Sequence, residues 1–197
     1  MARTREFDET ALQASALDAF WSHGFGGTSI GDISAVTGVG NGSIYGAYGS
    51  KFELFYQVLE AYCRSRVETV RDAMSVEGLP AVATRHFLDV IIDDCASQPG
   101  RRGCLMLNSL SEFGDREPRV RELIALTNAA MELAVAERLR QSEQDGDLDT
   151  SGVSVEVLAA EIVMISQGII QLSRLGAPVE RMAAIADSYS AGLARLS

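Results

Sequence analysis

The chain has 197 residues, of which 47% are hydrophobic and 22% charged. That balance belongs to a globular protein of one or two domains and excludes a disordered or fibrous chain. Basic residues number 17 and acidic residues 27, a net charge of −10, so any role with nucleic acid must rest on a local surface and not on bulk charge.

Cys63, Cys95 and Cys104 are odd in number and lack CxxC spacing. A secreted disulfide framework is therefore not expected, and a reducing, cytoplasmic setting fits better. The polar start, Met1-Ala2-Arg3-Thr4-Arg5-Glu6, lacks the apolar stretch of a signal peptide. The longest uncharged apolar-rich run, twelve residues between Glu161 and Arg174 that include Ser166, Gln167 and Gln171, reads as too short and too polar to span a bilayer.

Taken in order, nearly every segment carries the helical period, and no strand pattern persists. Asp8 is the N-cap of a first helix, with Phe7 and Leu12 placed as a hydrophobic staple, and Gly24 and Gly26-Gly27 end it. Ser29 and Asp32 form a capping box ahead of a short second helix whose inward stripe is Ile30, Ile33 and Val36. Gly38-Val39-Gly40 is a turn, and a third short helix runs from about Asn41 to Tyr48 with Ile44 and Tyr48 on its inner face. Ser50-Lys51-Phe52-Glu53 caps a fourth helix reaching about Ala73. Pro80 opens a fifth, Cys104 to about Phe113 forms a sixth, and Pro118 starts a seventh that reaches about Ser142. Glu143 to Gly152 reads as a mobile loop, followed by helices over about Ser154 to Leu175 and Pro178 to Leu196. The expectation is an all-α chain of about nine helices: a three-helix helix-turn-helix domain over 1–50, then a helical bundle over 51–197.

The segment from Thr28 to Phe55 carries the chemistry. Two short helices around a glycine turn make a helix-turn-helix, whose second helix enters a major groove. Its leading residues are Asn41, Gly42 and Ser43. Asn pairs bidentately with adenine, and Ser bonds a base or a phosphate. Lys51, at the start of the next helix, is suited to a phosphate. The glycines at 38, 40 and 42 do not form a nucleotide loop, because they follow a helix and lack the Gly-Lys-Ser/Thr ending.

Thr28-Ser29-Ile30-Gly31-Asp32-Ile33, Thr37-Gly38-Val39, Gly42-Ser43-Ile44-Tyr45-Gly46-Ala47-Tyr48, Ser50-Lys51 and Leu54-Phe55 resemble the DNA-binding domain of the TetR family of one-component repressors. Leu17-Asp18-Ala19-Phe20 and Gly24-Phe25 fit that family's first helix, so the likeness covers roughly residues 8–56. The resemblance implies a homodimer on a near-palindromic, double-stranded operator, released when a small molecule enters the C-terminal domain. It assigns DNA contact to Asn41, Gly42, Ser43, Tyr45, Ala47 and Lys51, to which Ser29 is added as a candidate. Gly46 and Ala47 replace larger residues common in the family, leaving Ala47 suited to a thymine methyl. Tyr48 is expected in the core. Residues 1–52 hold Arg3, Arg5 and Lys51 against five acidic residues. Two subunits thus offer about six cations, and the log–log salt slope of binding should not exceed about −5.

Cys104 follows Arg101 and Arg102 and is placed at a helix N-terminus. Both features lower a thiol pKa, so a thiol-based redox or electrophile sensor stands as an alternative to a plain buried residue. An effector pocket is assigned to Tyr62, Phe87, Ile91, Cys104, Met106, Asn108, Phe113 and Met131. Ile162, Ile165, Ile169, Leu172, Ile185 and Tyr189 are assigned to the dimer interface, as the resemblance implies a four-helix bundle there. His23 and His86 lack ligand spacing, and Glu112, Asp93 and Asp94 are expected as solvated carboxylates. No metal, cofactor or enzymatic reaction is expected. A helical adaptor with a degenerate helix-turn-helix is a further alternative.

Overall fold

A computed structural model describes residues 7–150 and 152–196. Among these residues there are nine α-helices and no strand. They are α1 (Glu9–His23), α2 (Ile30–Thr37), α3 (Asn41–Tyr48), α4 (Lys51–Met74), α5 (Pro80–Ser97), α6 (Leu105–Phe113), α7 (Pro118–Asp145), α8 (Val155–Arg174) and α9 (Val179–Leu193). Arg3 and Arg5 lie outside the described residues.

The chain divides into two compact units: residues up to 63 with 104–124, and residues 64–103 with those from 125 on. The division differs from the line at residue 50 because α6 and the head of α7 pack with the first helices.

In the first unit the core is aromatic. The rings of Phe20 and Phe55 lie 5.2 Å apart, as do those of Phe55 and Phe113, and Phe25 stands 5.1 Å from Phe113. Phe52 joins the group edge-on to Phe25. Edge-to-face and tilted pairs of this kind add about 0.5–1.5 kcal/mol each beyond the area they bury. Leu12, Ala16, Ile33, Ile44 and Leu54 fill the space around them with no more than 1% exposure.

The second unit is a bundle in which α5 packs on α8 and α9. Phe87, Leu88 and Ile92 of α5 are buried, as are Leu158, Ile162 and Ile169 of α8 and Met182, Ala186 and Leu193 of α9. Arg85 joins α5 to α9 through Asp187, 2.8 Å away. Asn128 of α7 accepts a hydrogen bond from Gln167 of α8 at 2.7 Å.

The seventh helix continues to Asp145, where Gln141 bonds the Asp145 carboxylate one turn on, and Gly146 at φ +81° ends it. The α8 helix as a whole is long and apolar enough, by length and composition alone, to cross a membrane, although its uncharged run is only twelve residues. Glu156 and Glu161 fall inside the helix and lengthen it beyond that run, and its apolar side packs against α5.

Candidate nucleic-acid interface

The caps of α2 fix the motif. The Ser29 side chain accepts from the Asp32 N–H at 3.1 Å, and the Ser29 N–H donates to the Asp32 carboxylate at 2.7 Å. The Ser29 hydroxyl also donates to that carboxylate, 2.7 Å away. With its side-chain bond first and its backbone bond second, Ser29 holds the Asp32 carboxyl below the usual carboxylate range. Gly38 ends α2 at φ +71°, a conformation that costs glycine little. The chain then turns into α3.

On α3, Ile44 and Tyr48 face inward at 0% and 5% exposure. The Tyr48 hydroxyl donates to Glu9 at 3.2 Å, which ties the recognition helix to α1. Asn41, Gly42, Ser43, Tyr45 and Gly46 are exposed, and Ala47 is half-buried. The helix that opens at Asn41 therefore presents its expected contact residues outward together. Gly42 and Gly46 have open space where a Cβ would stand, and neither has a positive φ, so the fold does not require glycine at either position.

Two of the proposed contact residues also have work inside the protein. The hydroxyl of Ser29 is engaged with Asp32 as both donor and acceptor, so its one proton is already committed. Lys51 donates to the carbonyls of Phe25 and Thr28, both at 2.9 Å, and its ammonium lies 4.0 Å from the centre of the Phe25 ring. One ammonium proton remains beyond those two bonds. Lys51 is thus a pin on the loop between α1 and α2 as well as a candidate for phosphate.

The same loop is held from its other side by a residue that sequence reasoning left in solvent. Glu112, on the last turn of α6, accepts from the Phe25 N–H at 2.9 Å and the Gly26 N–H at 2.7 Å. A Cβ on Gly24 would come within 3.0 Å of one carboxylate oxygen, and a Cβ on Gly26 within 3.2 Å of the other. Those glycines are the signal in the sequence: a loop stripped of side chains beside two free amides is a seat for an anion. Asp94, also expected in solvent, meets Arg66 at 3.3 Å and Gln98 at 3.0 Å.

The residues expected around an effector fall in both units: Tyr62, Cys104, Met106, Asn108 and Phe113 in the first, Phe87, Ile91 and Met131 in the second. All but Asn108 are buried. Phe113 belongs to the aromatic core of its unit, because its ring meets Phe25, Phe52 and Phe55. Cys104 is the N-cap of α6, as expected, but it is buried, and the Tyr62 hydroxyl stands 3.5 Å from its sulfur.

Of the residues expected at a dimer contact, Ile162 and Ile169 are at most 1% exposed within one chain. Both are covered within the chain's own unit, where α8 packs with α5 and α9. Ile165, Leu172, Ile185 and Tyr189 are half-exposed. Burial, and then the Glu161 carboxylate beside it, push the Tyr189 phenol above its ordinary range. Met164 and Val157 are exposed on α8 at 61% and 49%, Leu126 and Leu133 are exposed on α7, and none of them was singled out from the sequence. Their seven-residue separation on each helix was the available signal.

Residues 12–58 match the family model for bacterial regulatory proteins of the tetR family, and residues 81–189 match a tetracyclin repressor-like C-terminal domain. The chain is 25% identical over 191 residues to the HTH-type transcriptional repressor ComR of Escherichia coli (strain K12), covering 94% of this chain and 89% of that protein. It is 21% identical over 182 residues to the uncharacterized HTH-type transcriptional regulator YezE of Bacillus subtilis (strain 168), covering 92% and 94%. Among solved structures, it superposes on a cysteine variant of the TetR family transcriptional regulator CifR complexed with 26-bp double-strand operator DNA. That TM-score is 0.83, with 25% identity and coverage of 95% of this chain and 98% of that one. An exposed recognition helix on a capped helix-turn-helix, joined to a C-terminal domain whose family model spans more than half of the 197 residues, makes this protein a member of the TetR family of DNA-binding transcriptional regulators.

Proposed function

We propose that the protein is a repressor which, as a homodimer, holds a near-palindromic operator in the cytoplasm and releases it when a small, partly apolar molecule binds. Residues 1–50 make up the DNA-binding domain, with Lys51 adding a contact at its edge, and residues 51–197 bind the effector and dimerise. The observation that carries the reading is the outward set of Asn41, Ser43 and Tyr45 on α3, whose opposite face is locked down by Ile44 and Tyr48. Asn41 and Ser43 read base edges, and Tyr45 bonds a phosphate. Lys51 reaches a phosphate through its remaining proton, and Ser29 acts through the cap it provides.

The dimer reading draws support from α8. Its exposed strip of Val157, Met164 and Ile165 is apolar, and an open groove of about 560 Å³ beside it is lined by Ile165, Ile185 and Tyr189. A contiguous apolar surface rimmed by polar residues is a common mark of a protein interface. The seats we assign to that partner are Ile165, Leu172, Ile185 and Tyr189.

The test is a mobility shift with the intergenic DNA beside the protein's own coding sequence, run with and without cell extract. A sequence-specific shift that a compound in the extract reverses is expected. No sequence-specific shift under either condition would overturn the proposal and favour an adaptor.

A further inference from the structure

We propose that the operator is read in part through the 5-methyl groups of thymine, which Val36 and Ala47 take up beside the recognition helix. The proposal rests on the operator reading above and adds what the protein recognises there. Between Thr28 and Ser50 the chain has no Lys or Arg, so the guanidinium–guanine pairing that most often specifies a base is not available on this surface. The one charged side chain in that stretch, Asp32, is tied to Ser29. Asn41, Ser43 and Tyr45 are then the exposed hydrogen-bonding side chains of α3.

What the surface does offer is apolar. Val36, on the last turn of α2, is 78% exposed, although its place in the helix pattern suits an inward residue. It borders an open concavity of about 930 Å³ that continues onto α3 through Gly42, Ser43, Gly46 and Ala47. Because the glycines at 42 and 46 are required neither by packing nor by φ, their effect is to clear the outward face of α3. Bases can then approach the helix backbone, and Val36 and Ala47 are left as the flanking contacts. In a major groove the one apolar group on a base edge is the thymine methyl, and small apolar side chains are its usual contact.

The experiment uses the full chain and an operator duplex recovered by selection from randomised DNA. Deoxyuridine replaces thymine, which removes the methyl and leaves the hydrogen-bonding edges unchanged. Affinity should fall about fourfold for each contacted methyl, and about fifteenfold when one is lost in each half-site. Val36→Ser and Ala47→Ser should weaken binding to the thymine duplex while leaving binding to the uracil duplex nearly unchanged, with melting close to that of the parent. Equal affinity for the two duplexes would overturn the methyl reading while the operator reading stands. So would serine variants that lose affinity equally on both duplexes. Failure to enrich any duplex would overturn both.

Discussion

Removing the Glu112 carboxylate should loosen the loop that leads into the helix-turn-helix. Two backbone N–H groups, of Phe25 and Gly26, donate to it at 2.9 and 2.7 Å across more than eighty residues of sequence. A hydrogen bond to a charged acceptor contributes about 1.5–3 kcal/mol when both groups are sheltered. Here the Gly26 amide is exposed and recovers water when the carboxylate goes, whereas the Phe25 amide is partly buried and does not. Glu112→Ala should therefore cost about 2 kcal/mol, which for a chain of this size lowers the melting temperature by roughly 4–8 °C. Glu112→Gln keeps one carbonyl acceptor and should lose about half as much. Melting by circular dichroism measures the cost, and amide hydrogen exchange locates it: the Phe25 and Gly26 amides should exchange faster than in the parent. Operator affinity should fall along the same series, since this loop delivers the chain to the cap at Ser29. A Glu112→Ala protein that melts within about 1 °C of the parent and protects those amides equally would refute the argument.

Other outcomes can be checked as directly. Tyr45→Phe should weaken operator binding with melting unchanged, whereas Lys51→Ala should lower both, because it also loses the carbonyls of Phe25 and Thr28. Ile165→Glu should convert the dimer to a folded monomer in sedimentation, while Ile162→Ala, at a site with 0% exposure, should cost about 2–5 kcal/mol of stability. Asp32 has a depressed folded-state pKa, so its contribution is present above the ordinary carboxylate value of 3.8 and is lost as pH falls through the folded value. Acid titration of Ser29→Ala should show a smaller loss over that window than the parent. Operator binding against salt should give a log–log slope no steeper than about −5, and a steeper one would show cations outside the first 52 residues at work.

Much of the fold was legible because helix signals are local. Asp8 and Ser29 name their caps, the glycines at 24 and 38 mark helix ends within a few residues, and the structure uses each of them. The recognition helix was legible for the same reason: the spacing of Ile44 and Tyr48 fixes which side faces in. What could not be read was pairing across distance. No period announces that Glu112 will find the amides of Phe25 and Gly26, or that Phe113 will join Phe25 and Phe55 in an aromatic core. At the dimer face the pattern marked Ile162 and Ile165 alike as apolar. One chain's own bundle covers Ile162 and leaves Ile165 half-open, a choice made by the helices packed on α8, one of which, α5, lies some seventy residues earlier. Lys51 was read as a charge aimed at DNA, because sequence gives a lysine's position but not the carbonyls waiting for it.

Lys51 is the only lysine in the chain, and this has a practical side. An acylating or cross-linking reagent that attacks amines has a single side-chain nucleophile to find, and that nitrogen is occupied on two sides by main-chain oxygens. The rate at which such a reagent marks Lys51 is thus a clock for how often the loop ahead of α2 comes undone. Acylation there removes the positive charge, so each molecule acylated at Lys51 keeps a record of having opened.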